Sequence, residues 1–135
     1  MLALHRGKTL CYFLFLGTMI LWIIIGTTKY TDKWDNINID EILESQRLLR
    51  GYVDCLLDKG RCTPDGRALK ETLPDALENE CSKCTEKQKT GSDKVVSHLV
   101  NKRPELWKEL AVKYDPNNIY QQRYKEKIDA VKGQA

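Results

Sequence analysis

The stretch VDCLLDKGRCTPDG, residues 53–66, and the later ECSKCTE, residues 80–86, together decide how this chain folds. They carry Cys55, Cys62, Cys81 and Cys84 in a C-x6-C-x18-C-x2-C frame. Four cysteines admit three pairings. Seven unbroken helical steps would hold Cys55 and Cys62 about 10 Å apart, too far for a bridge. Lys59-Gly60 supplies a basic last turn and a glycine stop, and that turn brings the chain back. Cys81 and Cys84 lie about 5 Å apart on a helix, within bridging range. The spacing therefore predicts Cys55–Cys62 and Cys81–Cys84, each ring contributing about 2–2.5 kcal/mol. Such bridges pin helix ends and do not tie distant parts together.

Helical signals extend in both directions from this frame. Upstream, Asp40 is read as a cap with Glu41 in the first turn. Ile39, Ile42 and Leu43, then Leu49, Tyr52, Val53 and Leu56, recur at three and four. The polar Glu44-Ser45-Gln46-Arg47 marks a break between two short helices. Residues 29–38, KYTDKWDNIN, have no period and read as an extended arm with Tyr30 and Trp34. Downstream, Thr63 caps a helix that starts at Pro64. Leu69, Leu73, Ala76 and Leu77 form its apolar face, and Pro74 predicts a kink or restart. A polar stretch from Ser82 to Lys94 follows. The pattern resumes at Val95, Val96, Leu99 and Val100. Arg103-Pro104-Glu105 opens a helix with Leu106, Trp107, Leu110 and Tyr114 on one face. Asp115-Pro116-Asn117-Asn118 breaks it, and Tyr120, Tyr124, Ile128 and Val131 give a last helix that frays into the tail. The fold class is all-α, about six helices, with no alternating strand pattern and no repeat.

The first 28 residues read differently. Arg6 and Lys8 precede an apolar run from Leu10 to Ile25, and small residues follow at Gly26, Thr27 and Thr28. This order is that of a secretory signal peptide, cleaved between residues 26 and 29. The run is 16 residues, short of the ~20 that span a bilayer. Residues 29–135 are then the mature domain. Cleavage takes Cys11 and leaves four cysteines, an even set suited to an oxidising compartment. It also takes Arg6 and Lys8, which leaves 20 basic against 19 acidic side chains, a net +1. That balance gives no electrostatic footprint for nucleic acid.

Catalytic constellations are lacking. A Ser-His-Asp set would have to use His98, yet Ser97 and His98 point about 100° apart on a helix. There is no phosphate loop and no nucleophile elbow. A zinc site would want a second C-x2-C or paired histidines, so no metal and no cofactor are expected. Cys81-Ser82-Lys83-Cys84 has thiol-oxidoreductase spacing, but no strand leads into it as in a βαβ unit. It is kept as a minor alternative to a non-enzyme. A further alternative is a secreted interaction or developmental signalling protein acting through the charged runs Lys83 to Lys94 and Lys125 to Lys132.

Several separated motifs match one family in order and spacing. They are Tyr30-Thr31-Asp32-Lys33, Asn36 to Leu43, the four-cysteine frame, Leu73-Pro74-Asp75-Ala76-Leu77, Lys83-Cys84-Thr85, and Trp107 with Tyr114-Asp115-Pro116. From residue 30 to about 128 the sequence resembles the insect chemosensory proteins, the four-cysteine, olfactory-segment-D-like family. The resemblance implies six helices, pairing of neighbouring cysteines, and a tunnel-like pocket for fatty acyl chains, pheromone components or other semiochemicals. It also implies a soluble monomer in an extracellular fluid, a chemoreceptor as a partner, and no membrane association after cleavage. Trp34 stands where the family more often has Tyr. The family's roles span chemoreception, development and sequestration of toxic compounds.

The expected ligand contacts are Leu48, Tyr52, Leu69, Leu73, Val95, Val96, Leu99, Trp107, Leu110 and Tyr124, all on apolar helical faces. Tyr52, Trp107 and Tyr124 correspond by resemblance to positions near the family's pocket, with ring bodies for the chain and polar atoms for a head group.

Overall fold

The computed structural model of the chain describes residues 28–132. The expected leader, except Thr28, lies outside the described residues. Seven helices and no strand occur among them. These are α1 (Ile39–Glu44), α2 (Gln46–Leu56), α3 (Pro64–Glu78), α4 (Glu86–Lys102), α5 (Pro104–Tyr114), α6 (Ile119–Arg123) and α7 (Lys125–Val131). One helix more than expected results because the last segment divides at Tyr124.

Local chemistry accounts for most boundaries. Asn38, not Asp40, caps α1, its side chain accepting from the Glu41 N–H at 3.2 Å. Ser45 ends α1 and caps α2 by accepting from the Leu48 N–H. The stop after α2 is not Gly60. Asp58 takes the left-handed conformation at φ 60°, one that Asp tolerates. The Lys59 and Gly60 N–H groups then donate to Asp54 O at 2.8 and 3.2 Å. Thr63 caps α3 through the Gly66 N–H, with Pro64 in the first turn. The helix does not restart at Pro74 but continues to Glu78.

Both expected disulfides form, Cys55–Cys62 with Cα atoms 4.9 Å apart and Cys81–Cys84 with 5.0 Å. The second lies in a turn and not on a helix, since Glu80 and Cys81 have φ of 58° and 60°.

The start of α4 is the main departure from the sequence pattern. Its first two turns are polar, so no apolar period announces them. They are held by a capping box in which Thr85 accepts from the Gln88 N–H and Gln88 accepts from the Thr85 N–H. The same pair straps down the N-terminal arm, which is not extended but makes a turn over residues 33–36. Thr85 donates to Asp35 at 2.7 Å, and the Gln88 amide donates to Asp35 and to Thr31 O at 2.9 Å. Thr85→Ala is expected to remove about 1–2 kcal/mol of stability. A urea titration should show a lower midpoint at unchanged slope.

The closed core is small. Leu43 from α1, Leu49 and Val53 from α2, Leu99 from α4 and Leu106 from α5 form it, with Ile39, Leu57, Val95, Trp107 and Leu110 packed against them. Helix α1 rests on α2 and α4, α4 on α5, and α2 on α5. Helix α3 packs on α2, and α7 on α4 and α6.

Charged groups lock the α2–α5 seam. Arg50 donates to both Glu109 oxygens at 2.9 and 3.2 Å, and Lys59 adds a third bond at 3.2 Å. Asp58 accepts from Lys113 at 2.5 Å and from Lys70. Lys113 and the Tyr114 hydroxyl also donate to Leu56 O at 2.6 and 2.8 Å, meeting the open carbonyl end of α2. Hydrogen bonds from Arg50 and then Lys59 lower the Glu109 carboxyl from 4.5 to about 2. Those from Lys113 and then Lys70 lower Asp58 from 3.8 to about 2. A carboxyl depressed by folding stabilises above its unfolded value and loses that contribution as it protonates. Melting followed by circular dichroism should give a Tm that falls progressively as pH drops from about 4.5 to about 2. The pair Asp58→Asn and Glu109→Gln should flatten that slope.

Candidate functional site

Helix α2 presents two apolar faces. Leu49 and Val53 enter the closed core. Leu48 and Tyr52 each precede them by one residue and so point about 100° away. Leu48 is 38% exposed and Tyr52 half-buried. Helix α3 continues this second face. Leu69, Leu73 and Leu77 recur every four residues, with Leu69 45% exposed and the other two half-buried. Gly66 is the one buried residue of α3. A side chain there would meet Thr63 Oγ1 at 3.1 Å, Cys55 Sγ at 3.5 Å and Tyr52 Cδ1 at 3.6 Å. The bare Gly66 thus lets the start of α3 close on α2. On α4, Val95 and Leu99 turn to the core, while Val96 and Val100 lie half-buried on the neighbouring face.

This second face is greasy and incompletely covered. Apolar area left in water withholds about 25 cal/mol per Å² of burial energy, which an incoming alkyl chain can collect.

Two phenols mark the ends of α3. Tyr52 donates its hydroxyl proton to Asp65 in the first turn. Tyr124 donates to Leu77 O at 2.7 Å in the last turn, and Arg123 beside it donates to Glu78 O at 3.2 Å. The two anchor points are 12 residues apart, about 18 Å along the helix axis. Burial, and then the bond to Asp65, pushes the Tyr52 phenol above its ordinary value. Burial, and then the charge of Glu80, does the same for Tyr124. Burial would raise the Asp65 carboxyl. Hydrogen bonds from Thr63 and Tyr52, and from the backbone of Asp65 and Gly66, outweigh it and hold that carboxyl below the usual range.

The ten expected contacts divide between two environments. Leu48 and Tyr52 of α2 and Leu69 and Leu73 of α3 lie outside the closed core, and together they make up the α2–α3 wall; Tyr124 reaches α3 at the Leu77 backbone carbonyl. Val96 stands on α4, half-buried and outside the closed core. Leu99 is inside the closed core at 4% exposure, and Val95, Trp107 and Leu110 pack against it. Leu77 and Asp65 also belong to α3 and are not among the ten expected contacts. Leu77 could have been, by the step of four from Leu69 and Leu73. Asp65 could not, because its role comes from the approach of Tyr52.

Two open grooves run beside α4. One of about 380 Å³ lies against the arm, with Asp35, Ile39, Lys87 and Gly91 in its walls. The other, about 280 Å³, is lined by Leu43, Glu44, His98 and Asn101 among others. None of the ten expected contacts lines either. Burial, followed by the charges of Lys102 and Arg103, lowers the His98 pKa. Among the described residues no group of three His, Cys, Asp or Glu side chains could hold a metal. No described helix is long and apolar enough to cross a membrane.

Residues 30–122 match the family described as insect pheromone-binding family, A10/OS-D. The chain is 70% identical over 112 residues to Allergen Tha p 1 of Thaumetopoea pityocampa, covering 83% of this chain and 88% of that protein. It is 52% identical over 110 residues to Ejaculatory bulb-specific protein 3 of Drosophila melanogaster, covering 82% and 87%. A solved chemosensory protein in complex with bromo-dodecanol is 51% identical, with a TM-score of 0.69, covering 73% of this chain and 98% of that one.

Proposed function

The chain belongs to the insect pheromone-binding family A10/OS-D, a family of carriers and not of enzymes, and from that premise we propose that it is a secreted carrier that reversibly binds small hydrophobic molecules. One observation carries the reading. The apolar stripes Leu48–Tyr52 of α2 and Leu69–Leu73–Leu77 of α3 stay partly open although a closed core lies on the other side of α2. A domain with no use for that surface would gain by packing it. Support comes from the 51% identical relative that was solved with bromo-dodecanol.

Binding in this reading is non-covalent, with one protein copy and no cofactor. Apolar burial supplies about 0.8 kcal/mol per CH₂, so affinity rises with chain length until the wall is covered. Both disulfides hold helix ends that border the wall. Cys55–Cys62 fixes the α2–α3 corner, and Cys81–Cys84 fixes the turn between α3 and α4. Export rests on the residue 10–25 apolar run, which also explains why cysteines pair in this chain. Delivery to a receptor and scavenging both use the same reversible step.

The experiment is displacement of a fluorescent naphthylamine probe. The probe should bind in the micromolar range, and 1-dodecanol should displace it competitively. A native protein that does not take up the probe, or from which dodecanol does not displace it, would end the carrier reading.

A further inference from the structure

The two disulfides sit in opposite electrostatic surroundings. Each joins one buried cysteine, Cys55 or Cys84, to one half-buried, Cys62 or Cys81. Access alone therefore does not separate them. Their places on the helices do. Cys55 is in the last turn of α2, at the negative end of that helix, with Asp54 next to it and Asp58 three residues on. Cys84 stands directly before the Thr85 cap of α4, at the positive end of a 17-residue helix, with Lys83 next to it in the chain. A thiolate freed at Cys55 meets repulsion, whereas one freed at Cys84 is stabilised. The backbone differs in the same sense. Glu80 and Cys81 are consecutive left-handed residues, at φ 58° and 60°, a conformation that is costly for side chains other than Asn or Asp. Inside the Cys55–Cys62 loop the left-handed residue is Asp58, which tolerates it, and Lys70 and Lys113 hold its carboxylate in place.

We infer that Cys81–Cys84 is a thiol-exchange site, opened by an external dithiol ahead of Cys55–Cys62, and that opening it releases the N-terminal arm. The inference does not depend on the carrier reading. A thiolate of the dithiol attacks the half-buried Cys81 sulfur, forms a mixed disulfide and expels the Cys84 sulfur as a thiolate. The second thiolate of the same reductant then attacks its own sulfur in the mixed disulfide. That step closes the reductant into a cyclic disulfide and frees Cys81 as a thiolate. Two electrons pass to the protein, and the two new thiolates take up the protons that the dithiol lost. The exchange is stoichiometric, and nothing is turned over.

Release follows from the order of the chain. Thr85 is the residue after Cys84, and it both caps α4 and donates to Asp35 of the arm. Gln88, its partner in the capping box, holds Asp35 and Thr31 O. With the ring open, Glu80 and Cys81 leave the left-handed region, and the chain no longer presents Thr85 to the arm. The side-chain bonds that brace the turn run back to α3 and its cap, from the Ser82 N–H to Asn79 and from Lys83 to Asp75. They keep the end of α3 and do not reach Thr85. Lys87 also reaches Asn36 of the arm, but in the open, where water competes for both groups.

The test treats the native oxidised protein with dithiothreitol at pH 8, alkylates samples over time and maps the labelled cysteines. Cys81 and Cys84 should label about tenfold faster than Cys55 and Cys62. Hydrogen exchange followed by mass spectrometry on the protein reduced at that bridge should rise about tenfold over residues 31–36 and 85–90, with residues 49–56 unchanged. The double variant Cys81→Ser with Cys84→Ser fixes the open state and should show the same pattern. If that variant does not fold, the labelling and exchange of the unaltered protein still decide the matter. Labelling of all four cysteines together, or of Cys55 and Cys62 first, overturns the exchange site. Selective opening that leaves residues 31–36 as protected as before overturns the release of the arm.

Discussion

Leu99→Ala is expected to cost about 3 kcal/mol of folding stability, within the 2–5 kcal/mol range of leucine truncation in a core. Leu99 is 4% exposed and sits among Leu43, Leu49, Val53 and Leu106. Eight hydrophobic residues are buried in the described part of the chain, so each carries an unusual share of the core. A domain of this size has about 5–15 kcal/mol in all. The loss combines the removed methylenes with the cavity left behind. Urea denaturation followed by circular dichroism measures it. Probe affinity on the native baseline should stay within about twofold, because Leu99 is sealed in the closed core. A variant that keeps its stability but loses the probe would place Leu99 against the ligand.

The converse variant is Leu73→Glu. Leu73 lies midway along the open stripe of α3, between Leu69 and Leu77, and is half-buried. Glutamate is a good helix former, but Leu73 is half-buried in the free protein, so stability should fall by about 1–2 kcal/mol. Ligand binding would then have to bury a charge beside the alkyl chain. That penalty is expected to weaken dodecanol and the probe roughly a hundredfold. The same fluorescence titration and urea curve, run on one preparation, separate the two quantities. Together Leu99→Ala and Leu73→Glu divide the molecule into a part that holds the fold and a part that holds the guest.

Much of this architecture is legible in the sequence because it is local. The cysteine pairs depend on chain reversal within a few residues. Thr63-Pro64, Ser45 and Pro104 act through their nearest backbone groups. The errors are local too. Asn38 outcompetes Asp40 as the cap, and Asp58 takes the left-handed position that Gly60 was expected to fill. The first turns of α4 carry no apolar period, although Thr85 and Gln88 stand three apart in capping-box spacing. The division of the apolar residues is a different matter. Leu48 and Leu49 look alike in sequence, as do Val95 and Val96. Which one is sealed depends on where α1, α4 and α5 arrive, and that is a tertiary outcome no single helical period encodes. The ten expected contacts were therefore apolar helix positions in general, drawn from both sides of α2.

An isotope-filtered NOE spectrum of methyl-labelled protein with unlabelled 1-dodecanol locates the guest directly. Contacts from the alkyl chain to the methyls of Leu48, Leu69, Leu73 and Leu77, with none to Leu49 or Leu106, are the predicted result. Contacts confined to the exposed Val112 and Ile119, or no intermolecular contacts at saturating alcohol, would contradict a ligand face on α2 and α3.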